Sequence, residues 1–156
     1  MRAFFTLAAT LCCVTLLSSG CAQTQQTKHI EGYSFSISAK AADTALTMVG
    51  RPYKHNGDSP AGFDCSGLVR YSYLASGMDV PHGTKALRRV THLISYREIR
   101  KGDLLFFLQD GTKYSHVGIY VADNLFVHAP SKGKTVRMDS LLDPYWKENF
   151  LEARRF

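Results

Sequence analysis

The apolar positions of the chain follow two different periods, and the change falls near Asp103. Before it, "SAKAADTALTMVG" combines good helix formers with Ser38 as a possible cap and Gly50 as a terminator, which predicts a first helix. The next stretch, "GRPYKHNGDSPAGF", is dense in Gly, Pro, Asn and Asp and reads as a loop. In "DCSGLVRYSYLASG" Asp64 can cap a second helix, Leu68, Val69 and Tyr73 fall near one face, and Gly77 can close it. "GTKALRRV" adds a third, short helix. After Asp103 the runs "DLLFFL", "YSHVGIYV", "LFVHAP" and "KTVRM" are short, apolar or alternating, separated by "QDGTK", "ADN" and "SKGK", which is the pattern of an antiparallel meander. The tail "DPYWKENFLEARRF" is expected to hold one helical turn and a closing strand. Helices first and strands second define the α+β class.

Ahead of the first helix the pattern is of another kind. Arg2, an apolar run from Ala3 to Leu17 and the small residues Ser18, Ser19 and Gly20 precede Cys21. That is the layout of an export signal, because the run is short for a bilayer span and a polar Gln/Thr-rich stretch follows. The "SSGC" ending resembles a bacterial lipobox, with Ser18 in the slot where such boxes usually carry Leu. Residues 1–20 are therefore expected to be a lipoprotein signal peptide, Cys21 the lipidated first residue of the mature chain, 21–36 a flexible tether and 37–156 a single domain. Secretion without a lipid is the alternative. No internal repeat is visible.

Export changes how the cysteines read. Cys12 and Cys13 would leave with the signal and Cys21 would be consumed by lipid, so Cys65 would remain as the free thiol in an oxidising compartment. Such a thiol points to reactivity, with an inert buried cysteine as the bland alternative. The net charge of +6, spread through "KALRRV", "REIRK", "SKGK" and "EARRF", suits anionic lipid or a carboxylate-bearing wall polymer, or is an ordinary solvated surface. Export argues against a nucleic-acid partner.

Cys65 falls in the first turn of the second helix, where unpaired N–H groups and the helix dipole are expected to lower a thiol's pKa. Gly67 nearby either leaves room for a substrate backbone or serves helix packing. A thiolate nucleophile needs a base, and of the six histidines only His116 and His128 lie in strand patterns; His29 is in the tether, His55 and His82 in loops, and His92 in a charged connection. Val117, Ile119 and Val121 form the apolar face of their strand, so His116 points the other way with Gly118 and Tyr120. A two-residue loop at Asp123 and Asn124 would set Ile119 opposite His128 and the two histidines on opposite sides. A three-residue loop, with Ala122 and Asp123 in a type I turn and Asn124 left-handed, would set Gly118 opposite His128 and both histidines on one face. The resulting constellation is nucleophile Cys65, base His116, and His128 orienting the first imidazole. Zinc held by Cys65, His116 and His128 is the competing use of these residue types, without the close ligand spacings of structural zinc sites. No phosphate-cradling glycine loop and no close carboxylate pair is present.

"GRPYKHNG", "FDCSGLV", "KGDLLFF", "SHVGIYV", "NLFVHA" and "DPYWKENFLEARRF" resemble, in order and spacing from about residue 38 to 156, the NlpC-type cysteine peptidases of bacterial cell walls. They are most similar to the small lipoprotein murein endopeptidases of Gram-negative bacteria. The resemblance implies a papain-like α+β fold, attack by Cys65 on an amide of peptidoglycan stem peptides, and a triad completed by His116 and His128. It implies that Tyr53 lies beside the nucleophile, that the Cys65 backbone N–H helps hold the oxyanion, and that Asp64, Ser66 and Ser115 flank the catalytic residues. Asp64 and Ser66 serving only the helix start, and Ser115 only its strand, is the plainer reading of these three. Asn56 stands where the family often carries the first of two glycines. The implied protein is a monomer without cofactor, lipid-anchored on the periplasmic face of the outer membrane. It would cut either the D-Ala to diaminopimelate cross-link or the γ-D-Glu to diaminopimelate bond. A non-catalytic wall-binding lipoprotein of the same fold is the alternative.

Overall fold

The computed structural model describes residues 34–109 and 111–156. The expected signal peptide, Cys21 and most of the expected tether lie outside the described residues. The first helix, α1 (Phe35–Thr47), starts a turn earlier than its sequence suggests, with Ser34 as its cap. Ser34 Oγ accepts the Ile37 N–H at 3.3 Å, while Ser38 is buried and donates instead to the Phe35 carbonyl. Phe35 and Ser36 therefore belong to the folded domain and not to the tether. The Gly/Pro/Asn-rich stretch is a loop with a two-stranded ribbon, β1 (Asp58–Ser59) and β2 (Gly62–Phe63). Asn56 takes φ 54°, a left-handed position that Asn tolerates. Glycine there is thus dispensable.

Helix α2 (Cys65–Ala75) is capped by Asp64 and followed by left-handed Gly77. The short α3 (Thr84–Arg89) buries Leu87 and leads into β3 (His92–Ile94), a strand that the charged connection around His92 did not suggest. Then come β4 (Leu104–Gln109), β5 (Thr112–Ala122), β6 (Leu125–His128), β7 (Arg137–Ser140), α4 (Pro144–Asn149) and β8 (Phe150–Arg155). Strand β7 sits later than "KTVRM" suggested, because Thr135 is occupied by a bridge to Pro52 and Val136 donates its N–H to the Arg51 carbonyl.

The strands form one antiparallel sheet in the order β3-β8-β4-β5-β6-β7. Consecutive β4 to β7 make the meander, and α4 carries the chain back across so that β8 lies between β3 and β4. Both faces are covered, which explains why "LLFF" is apolar without alternation. Leu104 and Phe106 pack with Ala41, Ala42, Ala45, Leu68, Val69 and Tyr73 of the helices. Leu105 and Phe107 pack on the other side with Phe126, Ala153 and Trp146 of α4. Asp103 is 1% exposed, and its charge is met by the Arg155 guanidinium at 2.7 Å, which ties β8 to the start of β4.

The β5–β6 connection keeps the two-residue loop at Asp123 and Asn124 but not the register expected with it. Asp123 and Asn124 both have positive φ, 51° and 63°, so the turn has two residues and the primed geometry of tight hairpins. Tyr120 nevertheless pairs with Phe126 and Ala122 with Leu125, leaving Val121 as the extra residue of a bulge. The bulge shifts the register by one, and its continuation sets Gly118 opposite His128. Both histidines share a face, as the longer loop would have achieved, but by a different device.

Candidate active site

Asp64 organises the start of α2. Its Oδ1 accepts the Gly67 N–H at 2.7 Å and the Ser66 hydroxyl at 2.9 Å. His82 Nε2 lies 3.0 Å from both carboxylate oxygens, so this loop histidine is tied to the helix cap next to Cys65. Gly67 serves packing: a Cβ there would lie 1.9 Å from the Gly57 carbonyl oxygen. That close crossing of helix and loop fixes where the first turn of α2 points.

Cys65 is a free cysteine, and its Sγ has the Ser115 carbonyl oxygen as hydrogen-bond acceptor at 4.0 Å. Burial pushes the thiol up to about 12, the charge of Asp64 adds to the shift, and backbone hydrogen bonds from Val117, Ser66 and Cys65 itself oppose it without prevailing. This overturns the expectation that the helix start lowers the thiol's pKa. The cap that completes the helix is itself an anion, so it offsets the positive helix end at the sulfur. Burial and the Asp64 charge thus favour the neutral thiol over the thiolate. Ser115 and Val117 bracket His116, so the sulfur lies against the part of β5 that carries this histidine.

His116 is 1% exposed and His128 fully buried. His116 Nε2 lies 2.8 Å from His128 Nδ1, and His128 Nε2 lies 3.0 Å from Asp139 Oδ2. The face of β5 that carries His116 is covered by α4, with Trp146 stacked on His116 at 5.5 Å. The same indole donates to Asp139 Oδ2 at 2.8 Å, and Arg137 donates to that oxygen at 2.7 Å. Burial alone would raise the Asp139 pKa, but hydrogen bonds from His128, Arg137 and Trp146 hold it well below the usual carboxylate range. Burial lowers His116 well below 6.5, and neighbouring His128 adds to this against the pull of Asp139. Burial also lowers His128, with Asp139 opposing.

These directions dictate a proton arrangement. An ionised Asp139 can only accept, so Nε2 of His128 carries its proton and Nδ1 is bare. That bare nitrogen accepts Nε2–H of His116, which leaves His116 Nδ1 unprotonated. The arrangement can do one thing chemically: present a fixed, neutral imidazole as a base.

Other sequence candidates fall as follows. Tyr53 is half-buried, and its phenol is raised by burial first and then by Cys65 and Asp64, which places it near the turn that carries Cys65. Ser66 is spent on Asp64. Ser115 is spent on the β4–β5 hairpin, its hydroxyl donating to the Gln109 carbonyl at 2.7 Å and accepting the Gln109 N–H at 2.9 Å. Asp139 and Trp146 were not singled out from the sequence. Asp139 is two residues from Arg137 on a strand whose limits were misplaced, and nothing in its local pattern marks it. Among the described residues no group of three or more His, Cys, Asp or Glu side chains has the arrangement to hold a metal ion. No described helix is long and apolar enough to cross a membrane.

A mixed helix-and-sheet domain that aims the first turn of one helix at a histidine-bearing strand is the architecture of a known class. The model of the NlpC/P60 family matches residues 50–155, and the chain belongs to that family. It is 34% identical over 120 residues to murein DD-endopeptidase MepS/murein LD-carboxypeptidase of Escherichia coli K12, covering 76% of this chain and 63% of that protein. It is 38% identical over 114 residues to the probable endopeptidase YafL of the same organism, covering 69% and 45%. The fold resembles the crystal structure of the NlpC/p60 domain of peptidoglycan hydrolase SagA, with a TM-score of 0.65 and 33% identity over 76% of this chain and 98% of that one. The chain spans less than two thirds of the length of both E. coli relatives.

Proposed function

We propose that this protein is a cysteine peptidase that hydrolyses an amide in the peptide part of peptidoglycan, with Cys65 as nucleophile, His116 as base and His128 as the group that orients it. The observation that carries this reading is the hydrogen-bonded chain His116–His128–Asp139, which begins on β5, the strand against which Cys65 lies. A purely structural pair of buried histidines has no need of a terminal carboxylate that dictates both tautomers.

In this reading His116 Nδ1 takes the Sγ proton as sulfur attacks the amide carbon, so the thiolate forms only when substrate is present. The backbone N–H of Cys65 and the phenol of Tyr53 face the developing oxyanion. His116 then gives its proton to the leaving amine, and a thioester remains on Cys65. Water attacks the thioester with His116 again as base, releasing the carboxylic acid and restoring the thiol. His128 stays neutral throughout and spreads the imidazolium charge toward Asp139.

Similarity to murein DD-endopeptidase MepS and peptidoglycan hydrolase SagA supports murein as the substrate, and MepS supports the D-Ala to diaminopimelate cross-link over the γ-D-Glu to diaminopimelate bond. Residues 1–20 as signal peptide, a lipid on Cys21, a short tether and a place on the periplasmic face of the outer membrane complete the proposal, with the protein acting as a monomer. The test is mass analysis of products from defined cross-linked muropeptides. Cleavage at D-Ala to diaminopimelate, absent in Cys65→Ser, is the expected result; binding without cleavage would favour a wall-binding lipoprotein.

A further inference from the structure

Three cations stand on one face of α3. Lys85, Arg88 and Arg89 have helical i, i+3, i+4 spacing, and with Tyr114 they line a cleft of about 260 Å³. Arg88 is fixed: its guanidinium pairs with both oxygens of Glu152 and lies 4.0 Å from the centre of the Tyr114 ring. Lys85 and Arg89 are exposed, and among the described residues neither faces a carboxylate within ion-pair distance. A larger cleft of about 460 Å³ also holds two cations, Lys134 and Arg137, but Asp139 and Asp143 share it and balance them. The α3 cleft is therefore a concave site with unbalanced positive charge.

Its position connects it to the chemistry. Tyr114 adopts φ 56°, breaking the regular course of β5, and immediately precedes Ser115, whose carbonyl lies 4.0 Å from Cys65 Sγ. An anion held by Lys85 and Arg89 would sit beside the strand segment that meets the nucleophile. A membrane surface would be met by a convex face and would not need a cleft.

We propose that this cleft is a carboxylate subsite, in which Lys85 and Arg89 hold a free carboxylate of the stem peptide while Cys65 attacks a neighbouring amide. Arg88, locked on Glu152 and Tyr114, forms the rigid wall. The assignment rests on the stem-peptide reading above and names what the site recognises in that peptide.

The experiment compares Lys85→Gln/Arg89→Gln with the unmodified protein on two muropeptides that differ only in whether the free carboxyl groups are acids or amides. The expected result is a KM at least tenfold higher for the acid in the variant with kcat unchanged, and no change for the amidated peptide. Equal effects on both peptides, or none on either, would overturn the proposal. Binding of the same peptides to Cys65→Ala protein is measured in parallel. If the unmodified protein cleaves neither peptide, the peptidase reading fails, and loss of acid-specific binding on adding the two Gln substitutions still decides the subsite. Vesicles containing anionic lipid form the last arm: loss of vesicle binding with acid and amide peptides treated alike would assign the cations to a membrane surface and overturn the subsite.

Discussion

Trp146 donates its indole N–H to Asp139 Oδ2 at 2.8 Å while its ring stacks on His116 with 27° between the planes. One side chain of α4 thus touches both ends of the His116–His128–Asp139 chain. It covers His116 with an apolar surface that favours the neutral imidazole, and it supplies one of the hydrogen bonds that keep the Asp139 carboxylate ionised. Packing and proton placement are carried by the same residue.

Asp139→Asn should lower kcat/KM by about 10- to 1000-fold with the fold intact, because an amide no longer compels His128 to present its bare Nδ1 to His116. Trp146→Phe should act mainly on stability, costing about 1–3 kcal/mol for the lost volume of a side chain only 5% exposed. It should change the rate far less, since His128 and Arg137 still hold the carboxylate. Steady-state kinetics and urea unfolding on both variants separate these effects. A Trp146→Phe enzyme as impaired as Asp139→Asn would show that the indole, and not the carboxylate, governs the base.

Cys65→Ser should abolish turnover while leaving unfolding unchanged, since a hydroxyl of similar size is far harder to deprotonate. His116→Ala should cost about 100-fold or more in kcat, the ordinary worth of a general base. His128→Ala should cost less, because it orients the base and does not itself move the proton. Equal, complete loss in both histidine variants would mean that their roles are shared.

Most of the architecture was legible because it rests on local rules. Asp64 announces the α2 cap, and "DPYWKENFLEARRF" its helical turn and closing strand. The shared face of His116 and His128 was legible only as one of two loop alternatives, since a bulge at Val121 depends on pairing that no local pattern specifies. Asp139 and His82 were invisible for a similar reason: each acquires its role from a partner 11 or 18 residues away. The thiol's raised pKa is likewise a product of burial against β5, which the helix start alone does not contain.

Gly67→Ala should destabilise the domain by about 1–3 kcal/mol and reduce activity together, because a Cβ 1.9 Å from the Gly57 carbonyl must push α2 away from its loop and move Cys65. Gly118→Ala should show a similar cost by another route: its Cβ would meet the Phe126 ring at 2.6 Å, and that ring lies 5.0 Å from His128. Thermal melts and kinetics on both variants check this. Unchanged melting of Gly67→Ala would mean that the α2 crossing yields at no cost.

Activity and stability should both depend on pH below neutrality. A general base must be unprotonated, and burial holds His116 well below 6.5, so the acid limb of kcat/KM should fall at a pH lower than that of a free histidine. Cys65, raised to about 12, should be alkylated by iodoacetamide ever faster as pH rises through the neutral and alkaline range. A preformed thiolate–imidazolium pair would instead react at a constant rate from acid pH upward. For stability, the folded-state pKa values of His116 and His128 lie below their unfolded values, so the unfolded chain binds more protons as pH falls below about 6.5. The stability these neutral imidazoles contribute is complete above that pH and declines toward their folded pKa values. Asp139, also depressed, adds a second loss as pH falls below about 4. Urea unfolding at pH 7.5, 6.5, 5.5 and 4.5 should therefore give midpoints that change little between the first two and fall at the last two, a trend that His116→Ala weakens. A flat series together with pH-independent alkylation would mean that the resting site holds an ion pair, and the base would then be charged before substrate arrives.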